Sequence, residues 1–81
     1  MIKLGLYQHY KGKMYHVLGV ARYSESPHKL LVIYQALYDG YNVWVRPFDM
    51  FTGTVAIDGK EKPRFKFLKE TVTEAATIEK R

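Results

Sequence analysis

The chain has 81 residues, a formal charge of +5, 47% hydrophobic residues, 15% aromatic residues and no cysteine. The apolar share excludes a wholly disordered chain, and the missing thiols exclude a disulfide-stapled scaffold and thiolate zinc sites. Met1 to Gly5 is too short for a signal peptide and no apolar run reaches the roughly 18 residues of a bilayer span, so a cytoplasmic protein without membrane contact is expected.

In chain order, Leu6 to Tyr10 is a short Tyr-rich segment ending at Lys11-Gly12-Lys13, where glycine suits a tight reversal. Met14 to Tyr23 reads as a long strand. Tyr15, Val17 and Ala21 fall on one face, Met14, His16, Leu18 and Val20 on the other, and Gly19 marks a bulge or bend. Ser24 to Lys29 has loop composition, with Pro27 arguing against a central strand. Leu30 to Tyr38 and Tyr41 to Arg46 form a hairpin across Asp39-Gly40, the residue pair of a type I′ turn, and Pro47 stops the second strand.

Phe48 to Phe51 is too short for a regular helix and forms a single helical turn or an irregular corner. Thr54 to Ile57 and Arg64 to Leu68 form a second hairpin, joined through Asp58-Gly59 and a Lys-rich loop. After Leu68 the composition changes. Thr71-x-x-Glu74 fits a capping box, so residues 69–81 form a short helical or disordered tail. Within that tail the charges cancel, which leaves the whole positive excess on residues 1–68. Five to six short antiparallel strands separated by regular turns define an all-β domain, and an SH3-like barrel best fits this length.

The order Tyr7-x-His9-Tyr10-Lys11-Gly12-x-x-Tyr15-x-Val17, Ala21-x-Tyr23-Ser24-Glu25, Val32-x-Tyr34-x-x-Leu37-Tyr38, Trp44-Val45-Arg46-Pro47-x-x-Met50-Phe51 closely resembles the small bacterial proteins grouped as domain of unknown function 1653. The resemblance runs from Leu6 to about Leu68. It implies an SH3-like barrel in a bacterial cytosol, and no activity. Tyr23 departs from the family pattern, which carries histidine before the Ser/Thr-Glu pair.

The residues offer little for catalysis. His9, His16 and His28 lie far apart without a paired-His or HExxH spacing, so no metal site is expected, and the six scattered glycines form no phosphate loop. Ser24, Glu25, Ser26 and His28 share one loop, but no oxyanion hole accompanies them. Neither an enzyme nor a cofactor is expected. His9 and Glu25 make a further candidate polar pair.

Seven Tyr, four Phe and one Trp exceed what so small a core hides. Tyr15, Tyr34, Phe65 and Phe67 alternate with apolar neighbours and read as core. Tyr7, Tyr10, Tyr38, Tyr41 and Trp44 lie near strand ends and turns, where at least some rings should meet water, and Lys11, Lys13 and Arg46 accompany them. Rings with interleaved cations suit single-stranded nucleic acid, bases stacking and phosphates meeting cations. The alternative is a protein or peptide partner in an aromatic groove. For Arg46 the competing role is structural, stacking on a ring or pairing with Glu25 or Asp49.

Overall fold

A computed structural model of the chain describes residues 2–70. Seven strands and one helical turn follow in the order β1 (Gly5–His9), β2 (Met14–Tyr23), β3 (Ser26–Ala36), β4 (Val43–Pro47), α1 (Phe48–Phe51), β5 (Thr54–Ile57), β6 (Lys60–Pro63) and β7 (Phe65–Lys69). Five strands make one antiparallel sheet in the order β4-β3-β2-β1-β7, and β5 and β6 make a two-stranded ribbon. The domain is all-β, as the strand pattern requires.

The sheet is curled. Strands β3 and β7 stand three places apart, so a flat sheet would separate them by about 14 Å. Yet the rings of Tyr34 on β3 and Phe65 on β7 lie 5.6 Å apart. The guanidinium of Arg46, on the β4 edge, reaches 5.7 Å from the Phe65 ring on the opposite edge strand. Only closure of the sheet around its inner face brings both edges to one ring, which gives the small SH3-like barrel its form.

Tyr7, Val17, Val32, Tyr34, Phe51 and Phe65 fill the interior, with Phe51 only 1% exposed. Helix α1 drops Phe51 across the barrel end, where it stacks flat on Phe65 at 4.0 Å and meets Tyr7 edge-on at 5.5 Å. Burial of several aromatic rings offsets the small size of the core, because each ring removes far more area from water than an aliphatic side chain. Tyr7 keeps its hydroxyl satisfied by donating to the Lys3 carbonyl at 2.6 Å.

Several local expectations change. Ser24–Lys29 is not all loop: β2 and β3 reverse across Ser24-Glu25, with Tyr23 opposite Ser26. Pro27 is accommodated because the register breaks there, so that Arg22 next faces Leu30, and the Pro27 carbonyl accepts from Arg22 at 2.9 Å. The Asp39-Gly40 reversal is wider than a two-residue turn. Strand β3 ends at Ala36 and β4 begins at Val43. Asp39, Gly40 and Tyr41 all take positive φ, at 43°, 87° and 55°.

The second hairpin also repairs differently. Strand β5 pairs with β6, Ile57 opposite Lys60, across Asp58 and Gly59 at φ 51° and 77°, the signs of a type I′ turn. Phe65–Lys69 instead crosses to β1, where Phe65 faces His9 and Phe67 faces Tyr7. The expected bulge at Gly19 is present, with Val17 opposite Tyr34 and Gly19 opposite Ile33, so Leu18 is extra. Strand β7 runs through Lys69. The expected helical or disordered tail falls largely on residues 71–81, outside the described residues.

Candidate functional site

Strand register assembles an aromatic pocket at one end of the barrel. Trp44 on β4 faces Tyr34 on β3, and Arg46, two residues further along the same face, faces Val32. Tyr34 in turn faces Val17 on β2, two residues from Tyr15. Tyr38 completes the wall from the β3–β4 connection. That wide connection sends the Leu37 N–H to the Met14 carbonyl and the Ala36 N–H to the Asn42 carbonyl, which frees Tyr38 from strand pairing. Tyr15, Tyr34, Tyr38, Trp44 and Arg46 line an open cavity of about 290 Å³.

Its polar groups are tied together. Arg46 donates from Nε to the Tyr34 hydroxyl at 3.2 Å while its guanidinium stacks against Phe65. The structural role considered for Arg46 is therefore met by rings, and neither partner neutralises its charge. A guanidinium has five N–H donors, so most of them remain for solvent or a ligand. The hydroxyls of Tyr15 and Tyr38 share a hydrogen bond, with their rings edge-to-face at 5.5 Å. Burial, then that bond and the neighbouring tyrosines, push the Tyr15 hydroxyl up to about 12. It stays neutral throughout the physiological range.

Lys13 sets its ammonium 4.6 Å over the Tyr38 ring, so a second cation stands beside a residue that lines the cavity. Trp44 is 53% exposed and presents its ring to solvent. The pocket thus offers a stacking face, hydroxyl donors and two cations.

His9 continues this cluster away from the pocket. Its ring lies 6.3 Å from Tyr15, 4.9 Å from Phe65 and 4.5 Å from Tyr10. The Lys11 backbone N–H donates to its Nδ1 at 3.1 Å, which places the proton of the neutral ring on Nε2. Burial, reinforced by Arg46, Arg64 and Lys11, lowers its pKa from the ordinary 6.5. Lys11 in turn covers the Tyr10 ring at 5.9 Å.

Of the residues singled out from sequence, Lys13, Tyr38, Trp44 and Arg46 converge on the pocket, and His9, Tyr10 and Lys11 form its neighbour. Glu25 stands apart. It is exposed in the β2–β3 turn, at the opposite end of β2 from the His9 turn, a strand length on the order of 30 Å away. The polar pair of His9 and Glu25 does not come together. Tyr15 and Tyr34, read from sequence as core, do pack inside but also line the cavity, their hydroxyls bonded to Tyr38 and Arg46. Alternation marks a face as buried and says nothing about which end of a ring meets water.

The fold and the pocket define a small all-β domain with an aromatic, cationic cavity at the barrel end. Residues 5–67 match the family described as "Protein of unknown function (DUF1653)". The chain belongs to that family. The crystal structure of a DUF1653 protein from Bordetella bronchiseptica is similar to it, with a TM-score of 0.77 and 32% identity over 86% of this chain and 91% of that one. No curated protein matches the chain. Among the described residues, no helix is long and apolar enough to cross a membrane.

Proposed function

We propose that the domain is a non-catalytic binding module for single-stranded nucleic acid, RNA in particular, acting in the cytoplasm. One observation carries this reading: Trp44, Tyr38 and the cation Arg46 line a single open cavity, and the Lys13 ammonium lies over the ring of Tyr38. A base stacks on the indole and reaches the tyrosine hydroxyls, while its phosphate meets Arg46 and Lys13. Aromatic stacking with flanking cations is the general means of holding unpaired bases. At about 290 Å³ the cavity suits one ring rather than a larger ligand.

Trp44 is the sole tryptophan, so its fluorescence reports directly on the cavity. Adding single-stranded RNA should change that fluorescence and shift the amides around Trp44 and Tyr38. The affinity should fall as salt rises, because phosphate contacts release counterions. Binding that persists unweakened at high salt, or a response to duplex DNA equal to that for single strands, would refute the assignment.

A second reading has its own support. Val43, Trp44 and Val45 are each more than half exposed on an edge strand of the sheet. Such an edge offers backbone hydrogen bonds to an extended peptide. An extended peptide without proline shifting the β4 amides, with RNA producing none, would select it.

A further inference from the structure

We propose that the cavity on the far side of His9 is a second subsite for the same strand, taking the neighbouring nucleotide with its phosphate on Lys62 and Lys66. The inference rests on the single-strand reading of the first cavity.

The second cavity is the larger of the two, at about 410 Å³, and is lined by Gln8, His9, Tyr10, Gly12, Lys62, Pro63 and Lys66. Three separate parts of the chain build it: the end of β1 with its turn, the end of β6, and β7. Their placement is fixed by backbone bonds. Tyr10 donates to the Arg64 carbonyl at 2.9 Å and Arg64 donates to the Gly53 carbonyl at 3.0 Å, which pins the β5–β6 ribbon beside the β1 turn.

Its chemistry is one-sided. Imidazole, phenol, pyrrolidine and the Gln8 carboxamide line it together with two lysine side chains, and no carboxylate does. Lys3, Lys11, Lys13 and Lys29 each lie over an aromatic ring. Lys62 and Lys66 are exposed and, among the described residues, have no ring beneath them. An apolar floor under free cations selects an anion that also has a flat apolar face. A nucleotide has both, whereas a simple phosphate lacks the face.

Ring contacts link the residues that line the two cavities. From Tyr38 the rings step to Tyr15 at 5.5 Å, to His9 at 6.3 Å and to Tyr10 at 4.5 Å. Tyr38 and Tyr15 line the first cavity and His9 and Tyr10 the second. A strand leaving the Trp44 pocket therefore passes beside His9 on its way from Arg46 to Lys62 and Lys66.

Oligouridylates of one to six nucleotides test this, read by Trp44 fluorescence and by the amide shifts of Gly12, Lys62 and Lys66. The mononucleotide should move the first cavity alone. The dinucleotide and longer strands should bind more tightly and move all three amides. For the hexamer, Tyr10→Ala should weaken binding roughly 5- to 150-fold, the usual loss of one stacked base. Lys62→Ala combined with Lys66→Ala should lower the salt slope by about one. Both lysines are exposed, and thermal unfolding of the double variant checks that it folds. If the hexamer binds no more tightly than the mononucleotide, or the double variant binds it as wild type does, the second subsite is wrong while the Trp44 pocket stands. If no length changes the Trp44 signal, both readings fall.

Discussion

Arg46 donates from Nε to the Tyr34 hydroxyl at 3.2 Å, and the two side chains belong to adjacent strands whose register leaves them on one face. This bond helps to hold the guanidinium at the cavity, where it also lies 5.7 Å from the centre of the Phe65 ring. Tyr34→Phe removes the acceptor and keeps the ring. The expected cost is about 0.5–1.5 kcal/mol of stability in denaturant unfolding, together with weaker RNA binding through a less oriented arginine. Arg46→Lys keeps the charge and loses the planar fork, so its binding should stay well below wild type. Full binding by Arg46→Lys would show that charge alone matters at this position.

Phe51 joins the one helical turn to the barrel interior. It is almost fully buried and stacks on Phe65 with their planes 6° apart. Phe51→Ala should cost about 3–5 kcal/mol. A domain this small has little stability to spare, so the variant should be largely unfolded near 37 °C by circular dichroism. Phe51→Leu keeps most of the volume and should recover a substantial part of the loss.

Glycine is required at one position and optional at another. Gly5 has φ +142°, and a Cβ there would sit 2.2 Å from the Lys69 carbonyl oxygen. Gly5→Ala must therefore break the close approach of β1 and β7, and a loss of more than about 2 kcal/mol is expected. A Cβ at Gly19 meets nothing within 4 Å, although that residue lies at the β2 bulge. Gly19→Ala should fold with near wild-type stability. Equal effects from the two substitutions in thermal melts would contradict this account.

These positions also show what the sequence could and could not disclose. The long β2 strand, its bulge at Gly19 and the turn at Gly12 were legible, because alternation and glycine report local backbone demands. The partner of Phe65–Lys69 was not. Adjacency along the chain suggested β5, but pairing with β1 closes the barrel, and closure is a property of the whole sheet. The wide loop at Asp39-Gly40 was missed for a related reason: a favourable turn pair does not fix where strand pairing ends. That loop is what releases Tyr38 into the site. Trp44, Arg46, Lys13 and Tyr38 were found as rings beside cations. Lys62 was hidden in what reads as a charged loop and Lys66 in a strand assigned to the wrong partner, since only the folded β6 and the pairing of β7 with β1 bring them beside Tyr10.

Alkaline pH should destabilise the domain through Tyr15. The unfolded tyrosine loses its proton near 10.0, while burial and the bond with Tyr38 hold the folded one at about 12. Between these values the folded state binds more protons than the unfolded, so stability falls as pH rises. Burial raises Tyr7 as well and adds to the slope. Tyr15→Phe should flatten the decline between pH 10 and 12, measured by denaturant midpoints, and should remove a late phase from the phenolate absorbance titration. An unchanged alkaline slope in Tyr15→Phe would mean that this hydroxyl is not held up by its surroundings.

On the acid side the same reasoning gives His9 the opposite sense. Its folded pKa lies below the 6.5 of the unfolded ring, chiefly through burial and then through Arg46, Arg64 and Lys11. The rings packed against it, Tyr10, Tyr15 and Phe65, supply no negative charge. Below pH 6.5 the unfolded chain takes a proton that the folded chain resists, so stability is full above 6.5 and declines as pH falls toward the depressed folded value. His9→Gln should remove this part of the acid decline. Binding should move the other way, because an imidazolium between the two cavities attracts phosphate. Wild type should therefore bind RNA more tightly at the acid end of this window, where it is less stable, and His9→Gln should lose both trends together. Loss of one trend without the other would separate the histidine that shapes the fold from the histidine that meets the ligand.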